Sequence, residues 1–477
     1  MNAKVRRLTN LHDLPIVRSY THDRHIMKTM NRRSFISTSA AGLGGVAAGA
    51  ALIETAPAAG AGSANDKILL ALIGAGGRGS ALAQNFAGVK NVEFKTVCEV
   101  NDQRGADLMR ALEKAQGRPP QRAKDLRRVL EDKEVDAVVI ATPEHWHALA
   151  TVWACQAGKD VYVEKNPSLT IWEGRKMIEA ARKYRRIVQC GFQNRSAPYG
   201  ASAREYLAGG KLGKVVLVKV FNLLSGGPWL AQPDASAPAG LDWDLWLGPA
   251  REVPFNPGRL GGWGDFWDYE GGVLAGDGSH QLDLARLALG DPPHPRSVTC
   301  TGGRLAFPDR RETPDVQAIS YDFGDFVMTC ENGTFTPYMK KFPNEVRYGA
   351  QWPNWTQSSC RVEIYGTKQV MFLGRHGCGW QVFEADGKIV AQDKGYFPDK
   401  WHQPNFIECV RARRRPNADI EQSHFSACLV HLANVACRSG ARSLQFDAQS
   451  ESFPAFEPAN QFLKPAYRKE YRLPEVV

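Results

Sequence analysis

The sequence predicts an α/β protein. A doubly wound parallel sheet comes first, followed by a second α/β domain with an open, mainly antiparallel sheet. Three observations carry this. "KILLALIGAGGRGSALAQNF" (67–86) reads as an apolar strand, a glycine-rich turn and a helix. Short apolar strands then alternate with helical stretches up to residue 192, the pattern of repeated βα units. After residue 210 the pattern changes to strand-like runs, "KVVLVKVFNLL", "VQAISYDF", "RVEIYG" and "QVMFLG".

In the first run Gly74, Gly76 and Gly79 form G-x-G-x-x-G between strand and helix. The first glycine permits the turn, and the second lets backbone approach a pyrophosphate at the helix N-terminus. The third lets helix and strand pack closely. Arg78 lies inside the motif. The next strand, "VEFKTVCEV", ends on Glu99, 20 residues past Gly79. An acid there accepts both ribose hydroxyls of NAD and repels a 2′-phosphate. The expected cofactor is NAD rather than NADP, although Arg104 stands near.

The alternation continues through a helix at 125–131, the strand "VDAVVIATP", the helix "WHALATVWACQAG", the strand "DVYVEK", the helix "IWEGRKMIEAARKY" and the strand "IVQCG". Ligands bind at the carboxyl ends of such strands. Those ends are "GAGGRG", "CEVND", "ATPEHWH", "EKNP" and "GFQNR", all polar or glycine-rich. They place Thr142, Pro143, His147, Glu164, Lys165, Gln193 and Arg195 on one edge.

Bulk properties narrow the class. A chain of 477 residues accommodates two to three domains, and 43% apolar with 23% charged residues is a globular proportion. Half of the +10 net charge falls in residues 1–64, and the one basic run is "RARRRP". That run reads as a solvated helix end, so no nucleic-acid partner is expected. The ten cysteines form no Cys-x-x-Cys or zinc-like spacing, and no metal site is expected.

Residues 31–52, "NRRSFISTSAAGLGGVAAGAAL", place Arg32 and Arg33 before Phe35 and a weakly apolar Ala/Gly segment. This resembles a twin-arginine export signal. The expected division is a leader at 1–64, a dinucleotide-binding domain at 65–192, a substrate domain at 193–450 and a tail at 451–477.

With "ATPEHWHA", "VYVEKNPSLT" and "GDGSHQLDLARLALG" on the page, the chain resembles the Gfo/Idh/MocA family of NAD(P)-dependent sugar and cyclitol oxidoreductases, over roughly residues 67–440. "LDWDLWLGPA" and "HLANVACRSG" resemble its exported branch. The resemblance implies a Rossmann domain and an open sheet that forms homo-oligomer interfaces. It places the catalytic lysine at Lys165 and a substrate-facing histidine at His280. Asp277 and Asp283, three residues to either side, can share the histidine's helix face. Two departures stand out. The proline that directly follows the lysine in the family is Asn166 here. Many members carry an aspartate four residues before the histidine, where this chain has Gly276, and Asp277 is the candidate to replace it.

The expected activity is oxidation or reduction of a ring hydroxyl or ketone in a sugar, glycoside or cyclitol by an exported enzyme that keeps its cofactor. The alternatives are a redox-neutral, NAD-dependent glycosidase and a non-catalytic sugar-binding protein. His147 serves either cofactor contact or helix-start packing. Gln193 and Arg195 serve either the pocket or the interior. Trp267, with Trp229, Trp263 and Tyr269, serves either sugar stacking or packing.

Overall fold

The computed structural model describes residues 67–441 and 443–477; the arginine pair and the apolar segment that follows it lie outside the described residues. Six strands build the first sheet: β1 (Ile68–Ile73), β2 (Val92–Cys98), β3 (Gln121–Ala123), β4 (Ala137–Ile140), β5 (Asp160–Val163) and β6 (Val188–Cys190). All neighbours are parallel and the order is β3-β2-β1-β4-β5-β6. Strands covered on both faces need apolar side chains throughout, and β4 (AVVI) is buried at every position. The order reverses between β1 and β4, which opens a crevice at their carboxyl ends.

Helices cover both faces. Leu82 and Phe86 of the helix Gly77–Ala87 pack with Leu108 and Leu112 on one face, and Leu149 and Met177 pack on the other. Later segments complete these layers. Phe406 and Ile407 of the helix Asp399–Ala412 join the first core, while Tyr471, Leu473 and Val477 join the second. The first unit is therefore discontinuous in sequence. Strand-helix alternation reports local structure and not which sheet a late helix covers, so this return is not written in the pattern up to residue 192.

The second sheet has nine strands: β7 (Val215–Leu223), β8 (Ser297–Gly303), β9 (Val316–Asp322), β10 (Val327–Gly333), β11 (Arg361–Gly366), β12 (Val370–Gly374), β13 (Gly379–Phe383), β14 (Ile389–Asp393) and β15 (Leu444–Gln445). Their order is β14-β13-β12-β11-β7-β10-β9-β8-β15, antiparallel except for β7 beside β10. Period-two alternation sets the two faces of β7. Val218 and Val220 point into the core with the helices Ser279–Ala288 and Ile420–Arg438, while Leu217, Lys219 and Phe221 are half-buried on the other face. On that outer face Phe372 of β12 and Phe383 of β13 pack with Phe342, Val346 and Trp355.

A buried knot ties down the C-terminal segment. Glu451 Oε1 lies 3.0 Å from His294 Nε2 and 2.7 Å from His424 Nε2, and it accepts a 2.6 Å hydrogen bond from Arg175 Nη2. Among the described residues no helix is long and apolar enough to cross a membrane.

Candidate active site

A cavity of about 570 Å³ occupies the crevice and is shared by both units. Its floor is the glycine turn. Gly74 has φ +93°, and a Cβ there would lie 2.8 Å from the Ala141 carbonyl oxygen. A Cβ on Gly79 would lie 1.9 Å from the Gly74 oxygen, so only hydrogen fits where the helix meets the turn. Gly76 faces open space, its nearest neighbour being Arg104 Nη1 at 3.8 Å. At the end of β2, Glu99 Oε2 accepts from the Ala75 amide (2.8 Å) and Oε1 from the Asn101 amide (3.0 Å). Both oxygens are thereby fixed on the cavity wall, with lone pairs to spare for ribose hydroxyls.

These residues fit a dinucleotide. Thr142 Oγ1 and Arg78 Nη2 are buried polar atoms with no protein partner, and both residues line the cavity with Pro143. Such orphans are costly unless a ligand satisfies them. Arg78 is anchored by Glu164 Oε1 (2.8 Å) and Asp399 Oδ2 (3.1 Å). Burial opposes its charge, but Glu164 and Asp399 hold the guanidinium protonated. Glu164 also accepts from Gln193 Nε2 (3.3 Å) and from the Lys165 amide (3.2 Å). It positions Arg78, Gln193 and the lysine backbone from one point.

Lys165 projects from the end of β5 into the cavity, and its Nζ donates to the Gly276 carbonyl of the second unit at 2.5 Å. The Lys165–Asn166 peptide bond is cis. The Asn166 amide donates to Glu144 Oε1 (3.2 Å), and the Asn166 carbonyl lies 2.7 Å from His147 Nδ1. His147 Nε2 lies 2.8 Å from the Thr142 carbonyl. His147 is buried and does not line the cavity. Of its two expected roles the structure supports packing: the ring braces the Thr142 turn against Asn166, and no ring nitrogen is left for the cofactor.

His280 enters from the other side. It follows a π-helical turn, Leu274–Gly278, at the start of the helix Ser279–Ala288. It lines the cavity, its Nδ1 has no partner, and its ring centroid is 5.0 Å from that of His376. Burial, together with His376 and the cations Arg375 and Lys165, pushes its pKa well below the usual imidazole range, so the ring is neutral.

Neither flanking aspartate orients this ring. Asp277 lines the cavity, but both its oxygens are taken by Arg375 Nη2 (2.7 and 2.8 Å), with Lys341 Nζ at 3.1 Å. Against the cost of burial, these two cations hold the Asp277 carboxyl well below the usual carboxylate range. Asp283 lies in the interior, where Oδ1 accepts from Arg195 Nε (2.6 Å) and Ser426 Oγ (2.7 Å). Arg195 also binds Asp291 (2.8 Å). Arg195 and Asp283 were expected at the substrate; the structure pairs them with each other, away from the cavity. Trp267 is likewise elsewhere. It lines a second cavity of about 300 Å³, with the Arg438 guanidinium 4.6 Å from its ring centroid. Trp263 and Trp246 line the main cavity instead.

Three residues at or behind the cavity wall escape sequence reasoning. His376 sits at φ 54° after β12 and carries no motif. Glu144 stands inside "TPEHWH", where an acid between the proline and the histidine was the available signal. Glu270 precedes a glycine pair in "DYEGG", a stretch read for its aromatic residues.

Comparison with known proteins accords with this geometry. Residues 68–192 match the model of an oxidoreductase family with an NAD-binding Rossmann fold. Residues 226–305 and 359–473 match the same family's C-terminal alpha/beta domain. Scyllo-inositol 2-dehydrogenase (NAD(+)) of Bacillus subtilis is 27% identical over 301 residues, covering 60% of this chain and 71% of that protein. Levoglucosan dehydrogenase of Pseudarthrobacter phenanthrenivorans is 26% identical over 167 residues, 35% of this chain and 36% of that one. The WlbA dehydrogenase from Bordetella pertussis, solved in complex with NADH and UDP-GlcNAcA, has a similar fold, with a TM-score of 0.57 at 19% identity over 80% of this chain and 99% of that one. Both domains are thus accounted for, and the chain belongs to the Gfo/Idh/MocA oxidoreductase family.

Proposed function

We propose that this protein is an NAD-dependent oxidoreductase that interconverts a ring hydroxyl and a ketone of a sugar, glycoside or cyclitol. One observation carries the reading: Lys165 and His280 reach the same cavity from opposite units, beside the dinucleotide turn. The sugar and cyclitol class is supported by the activities for which the inositol and levoglucosan relatives are named.

NAD supplies the hydride acceptor. The residues of the chain handle the rest. Oxidation of a carbinol leaves a proton on oxygen that a base must take. The bond from Lys165 Nζ to the Gly276 carbonyl fixes the amine's rotation, so a neutral Lys165 keeps a lone pair for the hydroxyl. His280, neutral and unpartnered at Nδ1, hydrogen-bonds the same oxygen or its neighbour and holds it against the amine. Gln193, Asp277 and His376 line the cavity around them and contact the remaining hydroxyls. Glu99 selects NAD over NADP by accepting the ribose hydroxyls and repelling a 2′-phosphate.

Export belongs to the same proposal and rests on Arg32 and Arg33. The cofactor is loaded before export and stays bound, because little free NAD is available outside. The half-exposed β7 portion of the second sheet's outer face, at Leu217, Lys219 and Phe221, is the surface proposed for self-association.

The test uses protein recovered from its native host. It is denatured to identify any released nucleotide, and the intact protein is incubated with a panel of polyols and glycosides while ketone and free aglycone are followed. Bound NAD with ketone formed is the expected result. Aglycone released without ketone would replace this reading with the redox-neutral glycosidase. No nucleotide and no product would replace it with a sugar-binding role.

A further inference from the structure

A row of aromatic rings leads out of the main cavity, and the mechanism above uses only its inner end. His280 is the first ring. His376 follows, with the two centroids 5.0 Å apart. Phe397 comes next, 5.2 Å from His376 and tilted by 41°. Tyr348 is the last, 5.4 Å from Phe397 and tilted by 31°. His280, His376 and Phe397 line the cavity. Tyr348 lies beyond its lining, and 58% of that residue is exposed. The row therefore starts beside the group that holds the reacting oxygen and ends in solvent. It offers more ring faces than one sugar can cover.

The rings come from three separate segments, which the backbone holds together. Tyr348 follows the short helix Asn344–Arg347, whose Val346 is buried with Phe342 and Trp355. His376 lies in the turn between β12 and β13, and Phe397 follows β14. Lys394 joins all three segments. Its Nζ donates to the carbonyls of Val346 (2.6 Å), Gly377 (2.9 Å) and Gly395 (3.3 Å). Gly377 permits this approach. It has φ +95°, and a Cβ there would lie 2.6 Å from the Arg347 carbonyl oxygen and 2.7 Å from the Phe397 nitrogen. His376 is also fixed through its amide, which donates to Asn194 Oδ1 at 3.1 Å. One ammonium and one absent side chain thus set the spacing of the rings. An exposed aromatic ring on a backbone pinned in this way has little freedom left to lose when a ligand covers it, so more of the contact shows as affinity.

We propose that Phe397 and Tyr348 form a subsite for the aglycone ring of a glycoside whose sugar ring lies between Lys165 and His280. The inference rests on the function proposed above and narrows its substrate class. The preferred substrates are glycosides whose aglycone is a ring with a flat apolar face, rather than free monosaccharides or cyclitols. The group on the glycosidic oxygen continues outward along Phe397 to Tyr348. Aromatic rings and the C–H faces of sugar rings both stack on such a surface, so the shared chemistry is the flat apolar face. The subsite takes no part in proton or hydride movement. It binds a part of the substrate remote from the reacting carbon and places the sugar for reaction, which is how remote contacts raise kcat/KM.

The test uses the full chain loaded with NAD. For each sugar of a panel, three ligands are compared: the methyl glycoside, the phenyl glycoside and a disaccharide carrying that sugar at its non-reducing end. Affinity is read by calorimetry and kcat/KM by ketone formation. With at least one sugar, the phenyl glycoside or the disaccharide should bind about tenfold more tightly than the methyl glycoside. Tyr348→Ala should cut that ratio by about threefold or more, and Tyr348→Phe should retain it. The ratio is the informative quantity, because general damage to the fold weakens all three ligands alike. A gain for the phenyl glycoside alone assigns the subsite to aromatic aglycones, and a gain for the disaccharide alone assigns it to a second sugar ring. No gain with any sugar of the panel, or a gain that Tyr348→Ala leaves intact, overturns the proposal. Where a Tyr348-dependent gain in binding comes without ketone, the subsite is upheld and the oxidoreductase reading is what fails.

Discussion

Glu270 occupies the space that a side chain on Gly276 would need, its Oε1 lying 2.9 Å from the position of the missing Cβ. The contact cannot relax toward Gly264, because Oε2 is already 2.2 Å from the corresponding position there. Gly276→Ala should therefore destabilise the protein by about 1–3 kcal/mol, the usual cost of overfilling a packed interior. It should also lower kcat/KM, because the Gly276 carbonyl anchors Lys165. Adding Glu270→Ala makes room, so the double variant should be more stable than the sum of the single effects by about 1 kcal/mol or more. Urea unfolding of the four proteins gives the coupling directly. Simple additivity would mean that the two residues do not compete for space.

The proposed preference for NAD over NADP rests on Glu99. Its oxygens are set by the Ala75 and Asn101 amides, so it meets a ribose without rearrangement. The parent chain should bind NAD at least about tenfold more tightly than NADP. Glu99→Ser should weaken NAD by about 1–3 kcal/mol, the cost of hydroxyls left without an acceptor. NADP should change little, since the repulsive charge is lost along with the acceptor. Tryptophan fluorescence titration with both nucleotides measures this, and equal affinity of the parent chain for the two would remove the role.

How much of this site was legible in the sequence depended on whether a residue's partners lie near it in the chain. The place of the glycine turn, Glu99 and Lys165 on the cavity wall was readable because strand ends gather on one sheet edge, while the role given to Lys165 came from the resemblance. His280 came from the resemblance. The residues three places from it did not behave as helix spacing suggests. A π-helical turn precedes the histidine, and Arg375, nearly a hundred residues later, draws Asp277 away. Arg195 and His147 stood at the correct strand ends but turned inward, where buried partners awaited them. No local pattern distinguishes an outward from an inward side chain in a loop that follows a strand. Glu270 was hidden for a further reason: its meaning lies in what Gly264 and Gly276 lack.

The Arg195–Asp283 pair predicts a stability effect without a substrate effect. Both side chains are nearly fully buried, at 2% and 1% exposure. Removing one partner leaves the other charge unpaired in the interior, which costs about 3–5 kcal/mol. Arg195→Ala should lower the unfolding free energy measured in urea by that amount, while the folded fraction keeps its KM within about twofold. A substrate contact would produce the reverse pattern, with a raised KM and an unchanged midpoint.

His402 predicts how the protein meets acid. It lies on the helix Asp399–Ala412, fully buried. Its Nδ1 is 2.7 Å from Ser196 Oγ and its Nε2 3.0 Å from the Cys190 carbonyl. Burial pushes its pKa down to about 4, against the upward pull of that carbonyl and of Glu164. In the unfolded chain the imidazole returns to about 6.5. Between these values the unfolded state binds a proton that the folded state refuses. The stabilisation is therefore complete above pH 6.5 and is lost as pH falls toward 4, about 3 kcal/mol over that window. His402→Gln removes the titrating group. It should be less stable than the parent at pH 7, because the Ser196 and Cys190 contacts change, yet the gap should narrow by about 2–3 kcal/mol at pH 4.5. Urea unfolding of both proteins at the two pH values tests this. Parallel losses on acidification would mean that His402 is protonated in the folded state, and that the helix carrying it is held by a charge and not by a neutral ring.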